Sequence, residues 1–144
     1  MNTNINFEKL KNDAIEIFNG GYACSESVIY AIRKNFEVDI PDDAIAMSSG
    51  FPWGLRGGCL CGALAGGTMA LGYLFGRRNP GESQEVIFRT TKELHDHFKK
   101  TNGATCCRIL TKDFDMMSPE RKAHCTKMVV DTVQKTAELI LKES

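Results

Sequence analysis

Six cysteines are the residues of this 144-residue chain best suited to chemistry: Cys24, Cys59, Cys61, Cys106, Cys107 and Cys125. A thiolate attacks disulfides, ligates soft metals and exchanges electrons. The spacing excludes the short signatures. There is no Cys-x-x-Cys, so neither a zinc ribbon nor a thioredoxin-type site is written in the chain. There is no Cys-x-x-Cys-His either, which removes covalent c-type haem. A shared site must therefore be assembled from cysteines far apart in sequence. Cys24, Cys61, Cys107 and Cys125 fall on four separate predicted elements, three of them near helix starts, where unpaired N–H groups and the helix dipole favour thiolate. One inward cysteine packs like a small apolar residue; four on separate helices could converge on one point. The two doublets differ: Cys59 shares a target with Cys61 only if it precedes the helix, and one of Cys106 and Cys107 reads as an accessory. On a helix Cys59 and Cys61 point about 200° apart, and a Cys106–Cys107 disulfide would close a strained ring.

The remaining candidates are weaker. His95 and His97 lie two apart and face different sides of a helix, which suits a solvated surface better than a metal site. His124 should point away from the inner stripe carrying Cys125, although an imidazole beside a thiol could tune it. Met116-Met117 reads as loop packing. Trp53 and Arg56 could form a lid or bind an anion; the plainer reading is a buried anchor and a surface charge. Gly54–Gly58 lacks the strand before it and the Gly-Lys-Ser/Thr after it that a phosphate loop needs.

The elements that must position these thiols are helices. Phe7, Leu10, Ala14 and Ile17 mark a first helix ended by Asn19-Gly20-Gly21. A second runs from about Ala23 to Phe36 with Cys24, Val28, Ala31, Ile32 and Asn35 inward. Pro41-Asp42-Asp43 opens a short third. After an irregular loop over Gly50–Gly58, small residues at Gly62, Ala65, Gly66, Thr68 and Ala70 build a Gly-rich helix from about Leu60 to Phe75. Each interior Gly costs roughly 1 kcal/mol against Ala, so this helix is expected at the centre, where backbones approach closely. Asn79-Pro80-Gly81-Glu82 reads as the start of a helix reaching about Lys100. Thr105–Leu110 is a short turn with Cys106 and Cys107. Ser118-Pro119 caps a last helix whose inner stripe is Cys125, Met128, Val129, Thr132, Thr136 and Leu139-Ile140. No segment alternates with period two. The expected fold is all-α: one domain over residues 1–144, a compact bundle of about five main helices around the Gly-rich one.

Composition narrows the function classes. Eighteen basic and 18 acidic side chains cancel, and no basic cluster is visible, which excludes a nucleic-acid binder. No secretory signal is visible, so a cytoplasmic location is expected, where thiols stay reduced and serve metals or redox chemistry. Residues 57–76 carry no charge over 20 positions, but seven are Gly; a buried helix is expected, with no membrane insertion.

At Cys61-Gly62-Ala63-Leu64-Ala65-Gly66 the chain resembles the redox-active family named for its C_GCAxxG_C_C signature. Gly21-Tyr22-Ala23-Cys24-Ser25-Glu26-Ser27-Val28 resembles the family's first Cys segment, Gly57-Gly58 with Ala70-Leu71-Gly72 and Gly76 its glycine-rich core, and Gly103 with Cys107-Arg108-Ile109-Leu110 its third segment. Cys125 is the fourth cysteine. The resemblance implies that Cys24, Cys61, Cys107 and Cys125 carry the function, with Cys59 and Cys106 as additions. A similar region in the split-Soret cytochromes accompanies an iron–sulfur centre; their haem-attachment part has no counterpart here. Two mechanisms fit: four thiolates on an iron–sulfur cluster, or a dithiol cycling through a disulfide. In the second, Cys61 at its helix start is the expected attacker, with Cys24 or Cys107 resolving. The alternative is a non-catalytic module, with zinc on four thiolates or a partner-binding face. The expected partner is a redox protein, and an exposed apolar face would pair two copies as a homodimer.

Overall fold

The computed structural model describes residues 1–144. Seven helices follow one another: α1 (Phe7–Asn19), α2 (Cys24–Phe36), α3 (Asp42–Met47), α4 (Gly62–Phe75), α5 (Glu85–Asn102), α6 (Cys107–Leu110) and α7 (Pro119–Lys142). Five of them have 13 residues or more, and there is no strand. No helix is long and apolar enough to cross a membrane.

Local chemistry sets the boundaries. The Asn6 side chain accepts from Lys9 N at 3.0 Å to open α1, and Ser118 Oγ accepts from Arg121 N at 3.1 Å to open α7, each satisfying an otherwise unpaired first-turn N–H. One expected start is displaced. Asn79-Pro80-Gly81-Glu82 forms a turn, not a cap: Glu82 N donates to Asn79 O, and the Asn79 amide donates to the Glu82 carboxylate at 2.9 Å. The Asn oxygen is therefore not offered to a helix. The helix begins at Glu85, five residues after the expected first position, and Ser83 Oγ accepts from Glu85 N.

α4 is the centre, packed against α2, α5 and α7. Its contact with α2 is closest at Gly62 and Gly66. A methyl group on Gly66 would strike the Ser25 carbonyl and Cα, and one on Gly62 would strike the Cys24 sulfur. Glycine is what lets the first turn of α2, with its thiol, lie against the first turns of α4. The core joins Leu10, Ala14, Val28, Ile32, Phe36, Leu64, Leu71, Leu94, Phe98, Val129, Val133 and Ile140 into one cluster, so the whole chain closes on a single interior.

A buried polar group of α1 sits against the other end of α2. Asp13 of α1, 8 % exposed, accepts from Lys9 Nζ at 2.8 Å, Lys34 Nζ at 3.2 Å and Asn35 Nδ2 at 3.0 Å. Burial pushes the Asp13 carboxyl up, but these three donors outweigh it and hold the group below its usual range.

Candidate functional site

Cys24, Cys61, Cys107 and Cys125 line one cavity of about 560 Å³. They reach it from four places. Cys24 is the first residue of α2. Cys61 is the residue before α4, and its N–H donates to Thr105 O at 2.7 Å, which ties the start of α4 to the segment leading into α6. Cys107 opens α6. Cys125 lies on the inner side of α7, one turn before the buried Met128. Trp53 and Arg56 come in from the connecting loop, Arg121 and Lys122 from the first turns of α7, and Met116 and Met117 from the rim.

Cys59 and Cys106 do not line this cavity. Cys59 is exposed and turns toward Gly57 O at 3.8 Å, and Cys106 sits just before α6. His124 points away as expected: its Nε2 meets Leu110 O at 2.9 Å, and its ring stacks on Phe114 at 4.8 Å. His95 pairs with Asp96 and His97 with Asp131, outside the thiol region.

Electrostatics alters the roles expected of the thiols. Burial pushes the Cys61 thiol up to about 12, with Cys24 adding to the rise. The N–H groups of Leu64 and Ala63 at the start of α4 pull the other way and lose. The helix-start argument for Cys61 as an attacking thiolate therefore fails against desolvation: at 5 % exposure the neutral thiol is strongly favoured. Burial also lifts Cys24 to about 11, with Cys125 and Cys107 contributing. Cys125 is raised by burial and by Cys107, against the pull of Arg121 and Lys122. The four sulfurs are close enough for their charges to repel.

The loop over the cavity is backbone-strained. Trp53, Gly54, Leu55 and Arg56 are consecutive left-handed residues, with φ of 59°, 56°, 61° and 60°. Each non-Gly residue held there costs about 1–2 kcal/mol. The outcome is a fixed arrangement in which the Arg56 guanidinium lies 4.0 Å from the centre of the Trp53 ring and that of Arg121 lies 5.5 Å from it. Arg121 Nη2 also stands 4.0 Å from Cys107 Sγ, while its Nε is buried with no partner. Sequence reasoning missed Arg121 and Lys122. The signal for Arg121 was available: it precedes Cys125 by four residues and so shares its helix face.

Thiolates are the donors that iron–sulfur clusters and zinc take. No three His, Cys, Asp or Glu side chains are grouped closely enough to hold a single metal ion. A tetrahedral zinc site, whose four sulfurs meet one ion at about 2.3 Å, is thus not what the side chains present. A cluster spreads its ligands more widely than an ion does, and the four thiols ring a cavity of about 560 Å³, with Arg121 beside Cys107.

Comparison with known proteins gives the family. The family model described as "Putative redox-active protein (C_GCAxxG_C_C)" matches residues 22–139, a stretch that contains all six cysteines. A protein of Archaeoglobus fulgidus named "Uncharacterized protein" is 28% identical over 138 residues, covering 90% of this chain and 91% of the relative. No solved structure matches.

Proposed function

Because the chain belongs to the redox-active C_GCAxxG_C_C family, we propose that Cys24, Cys61, Cys107 and Cys125 form its redox centre and hold an iron–sulfur cluster for electron transfer. The observation that carries this reading is the gathering of four cysteines, from four separate elements, around one 560 Å³ cavity, while the other two face elsewhere. A cluster bound there would supply reversible one-electron exchange. The chain's part is to hold it by the four sulfurs, keep water away with Phe18, Pro52 and Trp53, and balance its negative charge with Arg121 and Lys122. Thiols lifted by burial and mutual repulsion are protonated at neutral pH, so loading releases protons and weakens as pH falls.

One observation favours a second reading, thiol–disulfide exchange: the Arg121 guanidinium beside Cys107, which is half-buried. There the Cys107 thiolate attacks a partner disulfide and releases one partner thiol. Cys125, close enough to feel the Cys107 charge, then displaces the other, leaving a Cys107–Cys125 disulfide. Two electrons pass from the protein to the partner, which leaves as a dithiol with two protons.

Anaerobic purification with a visible spectrum and iron, zinc and sulfide analysis separates the readings. A brown protein containing iron and acid-labile sulfide is expected. A colourless, metal-free protein with one titratable disulfide would replace the cluster with the exchange reading. A colourless zinc-loaded protein would contradict both and leave a structural module.

A further inference from the structure

A second cavity of about 360 Å³ lies on the far side of the Trp53 loop. It shares Trp53, Arg56, Cys107 and Met116 with the thiol cavity, so Cys107 stands on the partition between them. Arg56, Arg108 and Lys112 line it, and no Asp or Glu does; Asp113 and Asp115, next along the chain, are exposed and lie outside it. None of these three cations, nor Arg121 across the Trp53 ring, is in an ion pair, whereas Lys9, Lys11, Arg33, Lys34, Arg89, Lys92, Lys135 and Lys142 each have a carboxylate. Three of the chain's unpaired cations thus share one small cavity with no carboxylate in its lining, and Arg56 is locked in place by left-handed backbone and by stacking on Trp53. Three like charges sharing one small cavity repel one another, and a bound anion relieves that repulsion.

We propose that this second cavity seats a small oxyanion, a carboxylate, phosphate or sulfate group, held by Arg56, Arg108 and Lys112 beside Cys107. The volume suits a small molecule and not a protein segment. The seat stands on the cavity and its cations alone; its service as the substrate end of the thiol centre rests on the redox reading above.

Trp53 is the only tryptophan of the chain and reports directly on the seat. Its fluorescence is titrated with inorganic phosphate and with succinate, at an ionic strength held constant with sodium chloride. A saturable change with at least one of the two is expected. Arg108→Gln and Lys112→Gln, which keep the aliphatic stem, should each weaken it about tenfold, the loss of one charge-assisted hydrogen bond. No saturable change with either anion, or a change that both variants leave intact, would overturn the seat. Cys107→Ser distinguishes the two readings: the anion should still bind to a protein whose redox centre is gone, so failure of the redox reading leaves this titration unaffected.

Discussion

The two ends of α2 treat buried polar groups in opposite ways. At the C-terminal end, Asn35 and Lys34 join Lys9 around Asp13, and every oxygen of that carboxylate is answered from within the chain. At the N-terminal end, Cys24 faces three more thiols; Glu26 also lines the cavity but is taken up by the Ala23 N–H, and Arg121 Nε has no partner at all. Folding alone rewards the first arrangement and penalises the second. The difference teaches that one end is a brace, while the other is where the proposed redox centre lies.

The largest change should follow from closing the gap that gives the thiol end its shape. Gly66→Ala places a methyl group against the Ser25 backbone, and should cost about 3 kcal/mol in chemical denaturation, the upper range for overpacking against unyielding atoms. An unchanged midpoint would mean that α2 and α4 are not pressed together there. At the brace, Asp13→Ala should cost about 2 kcal/mol, because it leaves Asn35 short of an acceptor while Lys9 and Lys34 turn to water.

pH sharpens the contrast, with opposite signs at the two ends. Asp13 has a lowered pKa in the fold, so its contribution is present above the ordinary carboxylate value and is lost as pH falls through the folded one. Cys24 and Cys61 have raised values, so their contribution is present below the ordinary thiol value of 9.0 and is lost as pH rises toward about 11 and 12. Thermal unfolding of the reduced, metal-free protein should therefore be alkali-sensitive above about pH 9 through the thiol end. A Cys24→Ala, Cys61→Ala protein should lose less over that window, and Asp13→Asn should alter only the acid limb. If both variants follow the parent at both limits, the titrating groups lie elsewhere. The smallest effect is a control on the glycines of α4: nothing lies within 4 Å of a methyl group on Gly72, so Gly72→Ala should stabilise by up to about 1 kcal/mol.

The helices were legible because their stripes and caps are local: Leu10 with Ala14, Val28 with Ile32, and the Ser118-Pro119 start all stand where periodicity and capping put them. So was the central place of the Gly-rich helix, since Gly62 and Gly66 make sense only where another backbone is near. Of the six cysteines, Cys24, Cys61, Cys107 and Cys125 line the cavity and Cys59 and Cys106 do not. What failed was environmental. Whether a helix start or burial governs the Cys61 thiol depends on how much protein covers it, which spacing does not encode. The cationic character of the site was hidden for a similar reason: Arg56, Arg108, Lys112, Arg121 and Lys122 are scattered along a chain of zero net charge and meet only in the fold.

The central claim is that four of the six cysteines make one redox centre, and six single Cys→Ser proteins test it most directly. Each is reconstituted anaerobically with iron and sulfide, and its bound iron and visible absorption are measured against circular dichroism as a check on folding. Cys24→Ser, Cys61→Ser, Cys107→Ser and Cys125→Ser should each lose most of the bound iron while staying helical, and Cys59→Ser and Cys106→Ser should retain it. Equal retention by all six, or loss confined to Cys59→Ser and Cys106→Ser, would contradict the assignment.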